Sequence, residues 1–231
     1  MTGTSIRVKD LTRRRSGRTW SVFFLSLLLS VTAPAQSDST LVPLKLKHTI
    51  APVTLTLAGF AVQGKISRQL QNQVVKRYPG FHTNAEDFLW AAPSALAFGL
   101  SASGVKGKHS LKEQVLLFVI SSALSAGAAQ TLKWISRYPR PDLDGHDAFP
   151  SGHTALAFTN AGFLHEEYGH RSIWYSVGGF GNAAAVGGLR MLNNRHWLAD
   201  VLVGAGIGVG ASKAVYLAYP YVKRKVRKKR Q

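Results

Sequence analysis

The strongest constraint in this sequence is a set of long stretches without charge. Phe88–Val105, Gln114–Leu132 and Ser172–Leu189 contain no charged residue, and Val201–Tyr219 is interrupted only by Lys213. Each approaches the roughly 20 apolar residues a helix needs to cross the hydrocarbon core of a bilayer. Lys213 can extend its ammonium toward the nearer surface. A fifth stretch, Ser151–Leu164, is shorter and carries His153. All five are rich in Gly, Ala and Ser, which let helices pack closely in lipid, whereas repeated Gly weakens a helix in water. The pattern predicts an all-α, membrane-embedded bundle of five or six spans. A mean hydropathy near zero keeps a soluble all-helical bundle open as the alternative.

The formal net charge is +18, and much of it sits at the ends: six basic residues lie within residues 1–18 and seven within Lys223–Arg230. Such a balance points to nucleic acid or to an anionic membrane. The basic tail has no interleaved aromatic residues, so anionic lipid headgroups are its expected partner and nucleic acid is not. The N-terminus agrees. Basic residues up to Arg18, an apolar run Trp20–Val31 and Ala33-Pro34-Ala35 together read as a secretory signal, and an uncleaved anchor fits the same residues. The chain contains no cysteine, which excludes disulfides, thiolate metal sites and a cysteine nucleophile.

The expected organisation is a signal or anchor over 1–35, a periplasmic or interfacial segment over 36–84, a helical core over 85–221 and a basic cytoplasmic tail over 222–231. Within the second segment, Thr49–Gly64 is apolar but holds Pro52. Ile66, Leu70 and Val74 then recur at i, i+4 and i+8 among Lys65, Arg68, Lys76 and Arg77. That spacing predicts a helix lying in the membrane interface, ended by a turn at Tyr78-Pro79-Gly80.

Three polar clusters fall at the ends of the apolar stretches. Lys133 to Pro141 closes one, Pro150-Ser151-Gly152-His153 opens the next, and Arg190, His196 and Asp200 join the last two. The short connection 134–150 keeps the first two clusters on one side. The chain crosses away along 151–164 and returns along 172–189, which brings the third cluster to the same side. The expected result is one pocket at one membrane face.

These residue types suit a phosphoryl group. Lys133, Arg140 and Arg190 can neutralise its oxygens, and each Arg can offer paired hydrogen bonds. Ser151 is placed as a helix N-cap, Gly152 permits close backbone approach, and a helix start favours an anion. Four residues apart on a helix, His196 and Asp200 share a face, so the carboxylate can hold one imidazole nitrogen as N–H and leave the other to attack. His153 is placed to protonate the leaving oxygen. No cluster of carboxylates suits Mg²⁺, so no metal and no cofactor is expected.

The pattern Lys-x6-Arg-Pro, Pro-Ser-Gly-His and Arg-x5-His-x3-Asp resembles that of the type 2 phosphatidic acid phosphatase superfamily. The matching positions are Lys133, Arg140, Pro141, Pro150, Ser151, Gly152, His153, Arg190, His196 and Asp200. The resemblance implies a phosphohistidine at His196 supported by Asp200, with His153 as general acid and Lys133, Arg140, Ser151, Gly152 and Arg190 binding the phosphate. It implies a lipid-linked phosphate monoester or pyrophosphate as substrate, with lipid A, undecaprenyl diphosphate and phosphatidate or phosphatidylglycerol phosphate as candidates. The stretch Met191–Trp197 is similar to that of bacterial envelope members, among them lipid A phosphatases. The family's third motif usually begins with Ser, where this chain has Leu189. The same family holds soluble periplasmic acid phosphatases and vanadate-dependent haloperoxidases, which are the alternative activities; a basic membrane protein without activity is a fourth reading. The expected location is the bacterial inner membrane, with the pocket facing the periplasm.

Two further patterns are set aside. His165-Glu166-Glu167-Tyr168-Gly169-His170 puts its second His at i+5, off the face that a zinc helix requires. Gly204, Gly206, Gly208 and Gly210 lack the spacing and the preceding strand of a nucleotide loop, so helix packing is expected of them.

Overall fold

The computed structural model describes residues 47–229, and the signal or anchor reading of 1–35 lies outside them. Among the described residues all regular structure is helical: α1 (Lys47–Ala61), α2 (Lys65–Arg77), α3 (Glu86–Leu89), α4 (Ala92–Ala102), α5 (Leu111–Ser136), α6 (Gly152–Tyr168), α7 (Ile173–Leu192) and α8 (Leu198–Lys229). Two of them, α5 and α8, are long and apolar enough to cross a membrane by length and composition.

The stretch Phe88–Val105 is not one segment, contrary to the expectation. It breaks at Trp90-Ala91 into the end of α3 and the 11-residue α4. Pro93 lies in the first turn of α4, where its missing N–H and fixed φ favour starting a helix over continuing one. A helix does form over that segment as α2, and it ends before a turn at Tyr78–Gly80.

The glycines of α8 explain how the bundle closes. A methyl group on Gly204 would stand 2.6 Å from the Ser151 carbonyl, and one on Gly208 would collide with the Ala155 carbonyl, both at α6. On the adjoining face, Gly206 meets Thr56 and Pro52 of α1. Alternate glycines thus let α8 lie against two helices at backbone distance, which is the packing role expected for them. Their contact with Ser151 places α8 directly behind the start of α6.

Leu117 of α5, Phe163, Leu164 and Tyr168 of α6, and Val215 and Tyr216 of α8 form the larger apolar core. It leads to a buried polar lock. The Glu167 carboxylate accepts from the Tyr216 hydroxyl at 2.7 Å and from the His109 backbone N–H at 3.0 Å, and it lies 2.8 Å from His109 Nδ1. Nearby, Lys213 donates to Glu166 and Lys223 donates to Glu113, each at 2.6 Å. The far end of α8, the loop carrying Lys106 and Lys108, and the start of α5 with Lys112 therefore lie together. They are separated from the start of α6 by its 17 residues, about 25 Å. The zinc-like run is absorbed here, with Glu167 in the lock and His165 Nδ1 2.7 Å from the Ser176 hydroxyl.

Candidate active site

The loop after α5 is shaped by its own hydrogen bonds. Arg137 takes a left-handed conformation (φ 43°) and ends the helix. Ala148 N–H then donates to Tyr138 C=O at 3.0 Å, Ser136 Oγ donates to Phe149 C=O at 2.9 Å, and Trp197 Nε1 donates to Pro139 C=O at 2.9 Å. Lys133, one turn back on α5, donates its ammonium to the Asp147 carbonyl. The loop is thereby folded against both α5 and the residues that precede α8, with the Ala148 carbonyl turned toward His196.

His196 is buried, and its Nδ1 lies 2.8 Å from the Ala148 carbonyl oxygen. A carbonyl can only accept, so Nδ1 carries the hydrogen and Nε2 carries the lone pair. Nε2 makes no hydrogen bond with any described residue. Burial first, and then the charges of Lys133, Arg190 and Arg140, hold the imidazole well below its ordinary pKa. The ring is neutral at neutral pH, which is the state a nucleophile requires.

Asp200 departs from the expected arrangement. Helix α8 begins at Leu198, so His196 precedes it and the two residues do not share a helix face. Asp200 Oδ2 accepts from the Trp197 backbone N–H at 2.8 Å, capping the start of α8, and lies 3.5 Å from His196 Nδ1, beyond a good hydrogen bond. Its Oδ1 is buried with no hydrogen-bond partner among the described residues. The backbone carbonyl sets the tautomer, and the Asp200 carboxyl lies behind the ring.

Ser151 is the N-cap of α6. It is buried, and its hydroxyl accepts from the Thr154 N–H at 3.4 Å and from the Thr154 hydroxyl at 2.9 Å. Gly152 follows as the first helical residue, and a methyl group there would stand 3.8 Å from Lys133 Cε. The Lys133 stem therefore runs past the helix start. His153 lies one residue further on, and its Nε2 is 2.9 Å from Asp87 Oδ1.

The two arginines are already held by carboxylates. Arg140 makes the paired fork expected of it, but to Asp147, with Nε–Oδ1 at 2.7 Å and Nη2–Oδ2 at 2.9 Å. Burial would raise the Asp147 carboxyl, but the hydrogen bonds and charge of Arg140, with the charge of Lys133, outweigh it and hold the group below the usual range. Arg190, in the last turn of α7, is buried and donates Nη1 to Glu86 Oε1 at 3.1 Å. Its Nε is buried and has no partner among the described residues, a donor that an anion would satisfy. Asn193 donates to the same Glu86 oxygen and to Thr83 C=O. A cavity of about 260 Å³ opens between these groups, lined by Arg140, Arg190, Arg195, Glu86, Asp87 and Asn193. A larger recess of about 480 Å³ lies over the loop Gly104–Leu111, at the far end of α6, away from the residues of the three motifs.

The third-cluster loop is braced from α2. Gln71 Nε2 donates to Met191 C=O at 2.8 Å and to Asn194 Oδ1 at 2.9 Å, and Ser67 Oγ accepts from the Ala199 N–H at 3.1 Å. Motif spacing does not find Ala148, Asp147, Glu86, Asp87 or Gln71. The signal for Glu86 and Asp87 is that a chain with 11 acidic residues sets two side by side just before an uncharged stretch. Ala148 acts through its backbone and leaves no signal in residue type.

Among the described residues an all-helical bundle brings Arg140 and Arg190 to one cavity and ties His153 to its rim through Asp87. His196 is set within reach of the charges of Lys133, Arg190 and Arg140, which defines the class as a helical fold with a histidine beside a cluster of cations. Residues 114–224 match the PAP2 superfamily model, and the chain carries a domain of that superfamily. It is similar to the lipid A 1-phosphatase of Porphyromonas gingivalis, with 36% identity over 168 residues. The match covers 71% of this chain and 36% of that relative, so this chain spans about a third of the relative's length. Among solved structures it resembles Aquifex aeolicus LpxE, at 23% identity and a TM-score of 0.47, covering 63% of this chain and 93% of that one. It also resembles the first transmembrane PAP2 type phosphatidylglycerolphosphate phosphatase from Bacillus subtilis, at 17% identity and a TM-score of 0.45, covering 75% and 96%.

Proposed function

We propose that this chain is a membrane-embedded phosphatase that hydrolyses a lipid-linked phosphate monoester or pyrophosphate without a metal, through a phosphohistidine on His196. The observation that carries this reading is the state of His196. Its Nδ1–H is fixed by the Ala148 carbonyl, and its ring is kept neutral by burial beside Lys133, Arg190 and Arg140. In the reaction, Nε2 forms a bond to phosphorus as the bond to the leaving oxygen breaks. Lys133, Arg140, Arg190 and the N-terminus of α6 neutralise the phosphoryl oxygens. His153 protonates the leaving oxygen, then takes a proton from the water that attacks the phosphohistidine. Asp200 stabilises the positive charge that His196 acquires.

Embedding in the membrane is supported by α5, which presents Val115, Leu116, Val119, Ile120 and Leu124 outward, each close to half exposed. Such a row is costly in water and suits contact with lipid. The reading places the pocket at the periplasmic face of the inner membrane and the tail against anionic headgroups of the cytoplasmic leaflet. The same reading divides the chain into a signal or anchor over 1–35, a periplasmic or interfacial segment over 36–84, a phosphatase helical core over 85–221 and a basic tail over 222–231.

Lipid A is the first substrate to assay, because a relative at 36% identity is named a lipid A 1-phosphatase. The purified protein in detergent should release phosphate from at least one of lipid A, undecaprenyl diphosphate and phosphatidate, in EDTA as well as without it. Vanadate should inhibit, and an acid-labile, base-stable phosphoenzyme should be trapped on wild type but not on His196→Ala. Activity lost in EDTA and restored by Mg²⁺ would remove the metal-free mechanism.

A further inference from the structure

Two carboxylates outside the three motifs stand on groups of the site. Glu86 and Asp87 open α3 and diverge from each other. The Glu86 side chain is buried and accepts from Arg190 and Asn193. Asp87 is half-exposed, and its Oδ1 lies 2.9 Å from Nε2 of His153, whose side chain is 37% exposed. A carboxylate at that distance takes the Nε2 hydrogen, so the proton available to a substrate is the one on Nδ1. His153 Nδ1 makes no hydrogen bond with any described residue. The segment carrying Asp87 is itself tied down at Thr83, which exchanges two hydrogen bonds with Asn193, at 3.0 and 2.8 Å, and at Leu89, whose carbonyl accepts from Asn182 at 2.7 Å.

We propose that Asp87 is a positioning residue for His153: it holds the ring by Nε2 so that Nδ1–H delivers the proton to the leaving oxygen. The inference rests on the phosphatase reading above. When the bond from phosphorus to the leaving oxygen breaks, its electron pair goes to that oxygen, which takes the Nδ1 proton of the His153 imidazolium. His153 is then neutral, still donating Nε2–H to Asp87, and its Nδ1 lone pair accepts a proton from the incoming water. That water's oxygen bonds to phosphorus as the phosphorus–nitrogen bond breaks, and its electron pair returns to His196 Nε2. Without Asp87 the ring is free to turn, and the imidazolium loses its nearest negative charge. Glu86 does a different job, since it fixes Arg190, which holds the phosphoryl group in both steps.

The leaving group separates these roles. An alkyl or sugar alkoxide needs a proton to depart, and nitrophenolate does not. The full chain in detergent is assayed on a lipid phosphate and on p-nitrophenyl phosphate, with Asp87→Asn and Asp87→Ser made in parallel beside Glu86→Gln and His153→Ala. Losing a hydrogen bond to a charged group corresponds to about 10–100-fold. Both Asp87 variants should lose that much kcat on the lipid phosphate with little change in KM, while the first-turnover burst of nitrophenol, which needs no proton from His153, keeps its wild-type rate. The phosphohistidine trapped from the aryl substrate should reach at least its wild-type amount, which also shows that these variants fold. Glu86→Gln should weaken both substrates alike, mainly through KM. An equal loss in the nitrophenol burst, loss of the trapped phosphoenzyme, or undiminished turnover of the lipid phosphate in the Asp87 variants would each overturn the proposal while leaving the phosphatase reading intact. An indifferent His153→Ala in an active protein would overturn the general acid and this inference together. A wild-type protein inert on every phosphate would overturn both this inference and the reading it rests on.

Discussion

The imidazole of His196 donates its Nδ1–H to the carbonyl of Ala148 at 2.8 Å, while the nearest oxygen of Asp200 is 3.5 Å away. The tautomer is thus held by the backbone. In serine hydrolases, where a carboxylate alone sets the tautomer, removing its charge costs about 10⁴-fold. Here Asp200→Asn should cost less, about 10–100-fold, the worth of a charged partner to the cationic phosphohistidine. It should still yield a trapped phosphoenzyme. Asp200→Asn as inert as His196→Ala would show that the carboxylate, and not Ala148, governs the ring.

The depressed pKa of His196 has consequences for both rate and stability. Its ordinary value is 6.5, and burial, followed by Lys133, Arg190 and Arg140, moves it well below. The nucleophile is needed neutral, so the acid limb it contributes to kcat/KM should fall well below pH 6.5. The sign for stability follows from proton counting. Below pH 6.5 the unfolded chain binds a proton that the folded site refuses, so stability falls as the pH drops from 6.5 toward the depressed value. A His196→Gln variant should melt with less dependence on pH over that interval. An unchanged dependence would mean that His196 is not the group responsible.

The motif arithmetic located His153, His196, Lys133, Arg140 and Arg190 because helix order and length alone bring their ends together. It did not reveal their partners. Arg140 was expected to offer its fork to phosphate, and Asp147, seven residues on in an irregular loop, takes both bonds. Periodicity carries no information about how such a loop turns. The His196–Asp200 spacing suggested one helical face, but α8 starts between them. A boundary displaced by two residues changes which groups touch, and composition does not fix boundaries that closely. Phe88–Val105 read as one apolar run because nothing in hydropathy marks Pro93 as a start. The glycines of α8 were legible, since close packing is written in residue size itself.

Gln71 should matter to catalysis although it lies on α2, outside every motif. It bonds the Met191 carbonyl and the Asn194 side chain, the two ends of the turn leading to His196. Gln71→Ala removes one of two donors to that carbonyl, which still accepts from the Asn194 N–H, a loss of about 0.5–1.5 kcal/mol. Turnover should drop on lipid and aryl phosphates alike, because the nucleophile itself is loosened. A selective loss on the lipid substrate would point to a role in binding the lipid.

The packing role of the α8 glycines can be tested against glycines that touch nothing. Gly208→Ala drives a methyl group into the Ala155 carbonyl and should destabilise by about 1–3 kcal/mol. Gly181 of α7 has open space at its Cβ position. Gly181→Ala should be neutral or stabilising by about 0.5–1 kcal/mol, because alanine restricts the unfolded chain and favours the helix. Thermal melts of the two variants in detergent measure the contrast. Equal shifts would mean that α6 and α8 do not pack at backbone distance.

The orientation of the protein is open to a direct test, because the chain contains no cysteine and any label is unambiguous. The structure gathers Lys223 with Glu113, and Lys108 and Lys213 with Glu166, at the end of the bundle opposite the loop that holds Asp144. Positive charge is retained on the cytoplasmic side of a membrane, so that end should face inward and the cavity should face the periplasm. The basic helix α2 opposes this, since it braces the active-site loop and so lies at the cavity end; interfacial placement, with its cations among lipid headgroups, accommodates it. Asp144 is largely exposed beside the cavity, and Lys225 is exposed near the far end of α8. In intact spheroplasts an impermeant thiol reagent should label Asp144→Cys, and should reach Lys225→Cys only after lysis. The reverse pattern would place the chemistry in the cytoplasm, and labelling of both before lysis would remove the membrane from between them.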